Sequence, residues 1–183
     1  LKGNQRAPMH AWWISGTQPG NAIIFFHGTV GNMSYELGTI AYLFSLGSSL
    51  LVIDYPGYGK TQGRPSQVGC FDAAAAAWEF VCGAKGYCAE QVVVYGHSLG
   101  SAVAAYLASQ WPCRGLVFHS GFTSIPDMAA LMYPYLPVRW FCHTKLDAVE
   151  FIGRCRCPVL VMHSRADEFI PFRHANRIYR NAP

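Results

Sequence analysis

Charge is scarce in this chain. Only 13% of its 183 residues are Asp, Glu, Lys or Arg, and the net charge is +4. No basic run or stripe is present, which argues against nucleic acid as a partner. No apolar run approaches the ~18 residues that a membrane-spanning helix needs. No paired His/Asp spacing suggests a metal site. There is no repeat and no low-complexity linker. Seven cysteines are present, and an odd count does not fit a fully paired disulfide framework. Cys82 and Cys88 are spaced to bridge a loop, but ordinary buried thiols are the simpler reading. Cys155-Arg156-Cys157 is too tight for the usual zinc knuckle. The first residue is Leu1 rather than Met, so an upstream signal or anchor is expected to have been removed.

What the chain has instead is apolar mass, with 51% of residues hydrophobic. That composition predicts one folded domain over 1–183 with a large core and a greasy surface, not a disordered chain. It leaves membrane association open, and the compartment, cytoplasmic or membrane-associated, is not readable.

Five short apolar runs recur: AIIFF at 22–26, LLVID at 50–54, VVVY at 92–95, GLVFH at 115–119 and PVLVMH at 158–163. They are continuous rather than alternating, as strands are when helices cover both faces of a parallel sheet. Helical stretches separate most of them. One ends at Gly47, a C-cap residue, and one follows Ser66, an N-cap residue, and carries five consecutive alanines. The expected fold is α/β, a doubly wound, mostly parallel sheet with right-handed crossovers. MHAWWI at 9–14 reads as an added antiparallel edge strand. The stretch 121–157, dense in aromatics and proline, breaks the alternation and reads as a lid-like insertion. Tyr133, Tyr135, Trp140 and Phe141 are expected to line a pocket beneath it, or to pack on the core.

The functional signal lies between strand and helix, at Gly96-His97-Ser98-Leu99-Gly100. A chain that turns this sharply holds its apex residue in a strained conformation, and glycines two places away on each side make room. The apex is lifted out at the carboxyl end of the sheet, beside a helix N-terminus. Those are the needs of a serine nucleophile, Ser98. Acyl transfer also needs donors aimed at an oxyanion. The Leu99 amide supplies one, and the loop FFHGTVGN at 25–32 offers the Thr29 amide as the second.

Taken together, FFHGTVGN, VIDYPGYGKTQG, VVVYGHSLGSAVA and PVLVMHSRADEFIPF resemble the α/β-hydrolase superfamily, over nearly the whole chain. They are most similar to its compact, small-lid serine-esterase branch, which includes protein depalmitoylases. The resemblance implies hydrolysis of a small-molecule or lipid-like acyl ester or thioester, with no cofactor. It implies Asp167 as the triad acid, with Glu168 as a neighbouring alternative, and it makes Asp54 a structural residue. The family's catalytic histidine follows one more strand, whereas the residues after Asp167 read as a helix running up to Pro183. The chain is therefore expected to be a fragment lacking the last strand, with its base beyond Pro183, and to be nearly inactive alone. If the chain ends naturally at Pro183, a non-catalytic binding module on the same fold is the alternative. His174 follows the acid but falls inside that helix, where it is expected on the surface. His97, His119 and His163 read as structural.

Overall fold

The computed structural model describes residues 8–18 and 20–183. Leu1, on which the expectation of an upstream segment rests, lies outside them. Six strands form one sheet: β1 (Ala11–Ile14), β2 (Ala22–Phe26), β3 (Ser49–Ile53), β4 (Val92–His97), β5 (Gly115–His119) and β6 (Val159–Met162). Their order is β1-β3-β2-β4-β5-β6. β1 pairs antiparallel with β3 at one edge, as its sequence suggests, and the other pairs are parallel.

Seven helices are present among the described residues: α1 (Leu37–Ser45), α2 (Gln67–Trp78), α3 (Leu99–Gln110), α4 (Ile125–Met132), α5 (Val138–Phe141), α6 (Ala148–Ile152) and α7 (Arg173–Asn181). None is long and apolar enough to cross a membrane. The end signals in the sequence act as expected. Ser66 Oγ accepts from the Gly69 amide at 3.0 Å and opens α2. Gly47, at φ +84°, closes α1 by donating its amide to the Phe44 carbonyl. The five alanines of α2 are all buried. Their small side chains let α2 approach α3, where Phe71 stacks on Tyr106 and Trp78 on Trp111.

Alternating side chains along the strands feed two cores. Ile24, Phe26, Ile53, Val94 and Phe118 enter the larger one, with α2, α3 and α6. Phe25, Val52 and Tyr95 face the other side, with Ile40 and Leu43 of α1. Every residue of β2 and β3 is buried, as a continuous apolar run predicts. β6 departs from that expectation. Leu160 and Met162 share a face with Val117 and are 55% and 40% exposed. The larger core takes the opposite side of β6, and no described helix closes over this one.

Candidate functional site

The strand order reverses between β2 and β4. The chain runs from β2 outward to β3, then returns to lay β4 on the other side of β2. In open α/β sheets the crevice at such a point, beyond the carboxyl ends of the strands, is where ligands bind. The loop after β2 and the turn after β4 meet there.

Ser98 occupies the turn with φ +53° and ψ −117°, a left-handed region that non-glycine residues rarely enter. The surroundings hold it in place. Its amide donates to the His119 carbonyl at 2.9 Å, and its carbonyl accepts from the Ser101 amide at 3.0 Å. Ser101 Oγ bridges the carbonyls of Gly96 and His119, at 2.8 Å each. The flanking glycines are required sterically. A Cβ on Gly96 would run into the backbone of Gly100 and Ser101, and one on Gly100 would run into the Phe26 and His27 carbonyls of β2 and its loop. Ser98 is half-buried, and its hydroxyl bonds to no described residue.

The loop after β2 is pinned at both ends by one buried carboxylate. Asp54, 1% exposed at the end of β3, accepts from the Met33 amide at 2.9 Å and lies 3.2 Å from His27 Nε2 and 3.5 Å from His10 Nδ1. Tyr55 adds a bond from its hydroxyl to the His27 carbonyl at 2.8 Å. Burial pushes the Asp54 carboxyl up, but His27, the Met33 amide and His10 outweigh it and hold the group below the usual range. Between those anchors Gly28 lies against Ser98. A Cβ there would sit 3.4 Å from the Ser98 Cβ. Thr29 follows at the exposed tip, and the amides of Thr29 and Leu99 donate to no described residue.

A second pair braces the turn at Ser98 from the other side. His97 Nδ1 is 2.6 Å from Glu36 Oε1, so the ring N–H donates to the carboxylate. The hydrogen bond from His97 is the main reason the Glu36 carboxyl lies below its ordinary range. The His97 ring packs 5.0 Å from His119. Burial, with His97 beside it, favours neutral His119, whose Nδ1 then accepts from the Tyr95 hydroxyl at 2.7 Å. These links join residues far apart in the chain, and no local motif announces them.

Asp167 lies beyond the carboxyl end of β6, the same end of the sheet as Ser98 and two strand spacings away, about 10 Å. Its Oδ1 accepts from the Phe169 and Ile170 amides at 3.0 and 2.8 Å. Its Oδ2 is 3.5 Å from His163 Nε2. That nitrogen already donates to the Ile170 carbonyl at 2.7 Å, and the His163 side chain is buried. Glu168 is exposed.

Ser98, Leu99 and Thr29 open onto an apolar cavity of about 410 Å³, within the range of small-molecule sites. Its walls include Phe122, Ile125, Met128, Met132, Leu146 and Ile170. The aromatics expected there are elsewhere. Tyr133, Tyr135, Trp140 and Phe141 are all more than half exposed, and none lines the cavity. Helices α4 and α5 are too short and too weakly buried to fold these rings inward. The expectation for His174 is also corrected. It is buried, and Nδ1 accepts from the Thr123 amide at 3.2 Å. All seven cysteines are free thiols, so Cys82 and Cys88 form no bridge.

A family model described as the alpha/beta hydrolase fold matches residues 21–141. An uncharacterized protein of Mycobacterium tuberculosis is 35% identical over 91% of this chain, which spans 60% of that protein. Alpha/beta hydrolase domain-containing protein WAV2 of Arabidopsis thaliana is 29% identical over the whole chain, which spans 65% of its length. Among solved structures, an acetyl xylan esterase from Paenibacillus sp. R4 superposes with a TM-score of 0.73 at 19% identity, covering 96% of this chain and 70% of that one. A monoacylglycerol lipase from Paleococcus ferrophilus gives 0.69 at 16%, covering 96% and 84%. At these identities the structural likeness speaks for the fold.

Proposed function

The chain belongs to the α/β-hydrolase family, and from that premise we propose that it is the core of a serine hydrolase cleaving carboxylic ester or thioester bonds through an acyl-enzyme on Ser98. The observation that carries this reading is the backbone at Ser98. A strained φ of +53° costs on the order of 1–3 kcal/mol, and a folded core gains nothing from a serine there. A nucleophile gains an accessible hydroxyl at the mouth of an apolar cavity.

The mechanism follows from the arrangement. The Ser98 hydroxyl attacks the acyl carbon, with the acyl chain in the cavity under α4, which acts as the lid. The Leu99 and Thr29 amides, having no internal partner, donate to the oxyanion. Asp167, its other oxygen fixed by two amides, keeps Oδ2 to orient a histidine and stabilise the imidazolium. The rings of His97, His119, His163 and His174 bond to Glu36, Tyr95, Ile170 and Thr123, and in this reading the base is a histidine that Asp167 orients. A protein without that histidine is then slow, since loss of one triad member costs roughly 10⁴–10⁶ in kcat. Water releases the acid in the second half-reaction.

A fluorophosphonate probe tests the proposal. The chain expressed at the full length of its reading frame is expected to label at Ser98, and Ser98→Ala is expected not to label. Equal labelling of the two proteins would defeat the assignment.

A further inference from the structure

A second cavity, also about 410 Å³, lies on the other side of α4. Ile125, Met128 and Met132 face the apolar cavity beside Ser98, whereas Asp127 lines the second. One helix thus divides an apolar cavity from a strongly cationic one.

The cationic character comes from Arg139, Arg173 and Arg177. A single carboxylate opposes them. Asp127 pairs with Arg139 at 2.9 Å and with Arg177 at 3.1 Å, and it accepts from the Thr123 hydroxyl at 2.6 Å. Arg173 has no partner among the described residues. His174 lines the same cavity but contributes no balancing charge. Its Nδ1 accepts from Thr123, and burial together with Arg173 and Arg177 disfavours its protonation. Nε2 is buried without a partner.

The backbone adds to the imbalance. Helix α7 begins at this cavity, with its first residues Arg173 and His174 in the lining, so one positive helix end faces it. No side chain caps the nine-residue α7, and a positive Arg173 stands in its first turn, where an anion is favoured. Guanidinium groups match tetrahedral oxyanions through paired hydrogen bonds. We infer that the cavity between α4, α5 and α7 binds an oxyanion of the phosphate class, held by Arg173 with Arg177 and Arg139 at its rim. The oxyanion is either the polar end of a substrate whose acyl chain lies on the far side of α4, which rests on the reading of Ser98 above, or a free ion that sets the position of α4.

Isothermal titration with inorganic phosphate at fixed ionic strength tests the site without any turnover, so the result stands apart from Ser98. The wild-type chain is expected to bind phosphate saturably. Arg173→Gln is expected to weaken binding about tenfold or more, as loss of one charge-assisted contact should, and Arg114→Gln, at the opposite end of the sheet, to leave it unchanged. Thermal unfolding guards against misfolding. Without phosphate Arg173→Gln is expected to melt no lower than wild type, and phosphate is expected to raise the melting point of wild type only. A single-chain acylglycerol phosphate, titrated into Ser98→Ala, separates the two sources. Competition with phosphate assigns the anion to the substrate, and independent binding assigns it to a free ion. Either result keeps the site. Absence of saturable phosphate binding, or equal binding by Arg173→Gln, overturns it.

Discussion

Replacing Gly100 by Ala tests whether the turn at Ser98 is held by contact between α3 and β2. The added Cβ would fall on the Phe26 carbonyl and 2.7 Å from the His27 oxygen. Both are backbone atoms inside the sheet and its loop, so no side-chain rotation relieves the clash. Overpacking of this kind costs about 1–3 kcal/mol. Alanine recovers part of that, up to ~1 kcal/mol, by its helix preference. A net loss of about 1–2 kcal/mol is expected, or roughly 2–8 °C in melting temperature for a domain of this size. Gly38 in α1 is the matched control. Nothing lies within 4 Å of a Cβ built there, so Gly38→Ala is expected to gain about 0.5–1 kcal/mol. Urea unfolding followed by circular dichroism measures both. If Gly100→Ala is as stable as Gly38→Ala, close helix–strand contact does not set the turn, and the account of Ser98 fails with it.

Three further outcomes are expected. Asp54→Ala strips His27 and the Met33 amide of a buried partner and should cost about 3 kcal/mol in urea unfolding; a change under about 0.5 kcal/mol would deny Asp54 its anchoring part. Glu36 has a lowered pKa in the fold, so its contribution is full above the carboxylate range and is withdrawn as pH falls through that range; unfolding midpoints between about pH 6 and pH 3 should drop less steeply in Glu36→Gln than in wild type. Met128→Asp should sharply slow labelling of Ser98 by a long-chain acyl fluorophosphonate, whereas Trp140→Ala, at an 86% exposed ring, should leave labelling unchanged and stability within about 0.5 kcal/mol.

The strands, the turn at Ser98 and the caps at Ser66 and Gly47 were legible because each rests on local chemistry. A β-branched run, a glycine at a forbidden contact and a side-chain oxygen before a helix act within a few residues of themselves. The pairing of Glu36 with His97 was not legible, because the fold alone brings those positions together. Aromatic density at 133–141 misled for a related reason. Composition says that rings are present, but helices of one or two turns give no period from which to read the face they show. β6 looks like a fully buried strand because its residues are apolar, and only the placement of helices reveals which side is covered. The contact of His174 with Thr123 was equally hidden, since it crosses the chain, although His174, Ala175 and Ile178 share one face of α7 at helical spacing.

The backbone angles at position 98 set what a substitution there would do. Glycine would adopt that posture with little penalty, and it would forfeit the oxygen on which the proposed acyl-enzyme depends. At this one position the fold and the proposed chemistry ask for different residues.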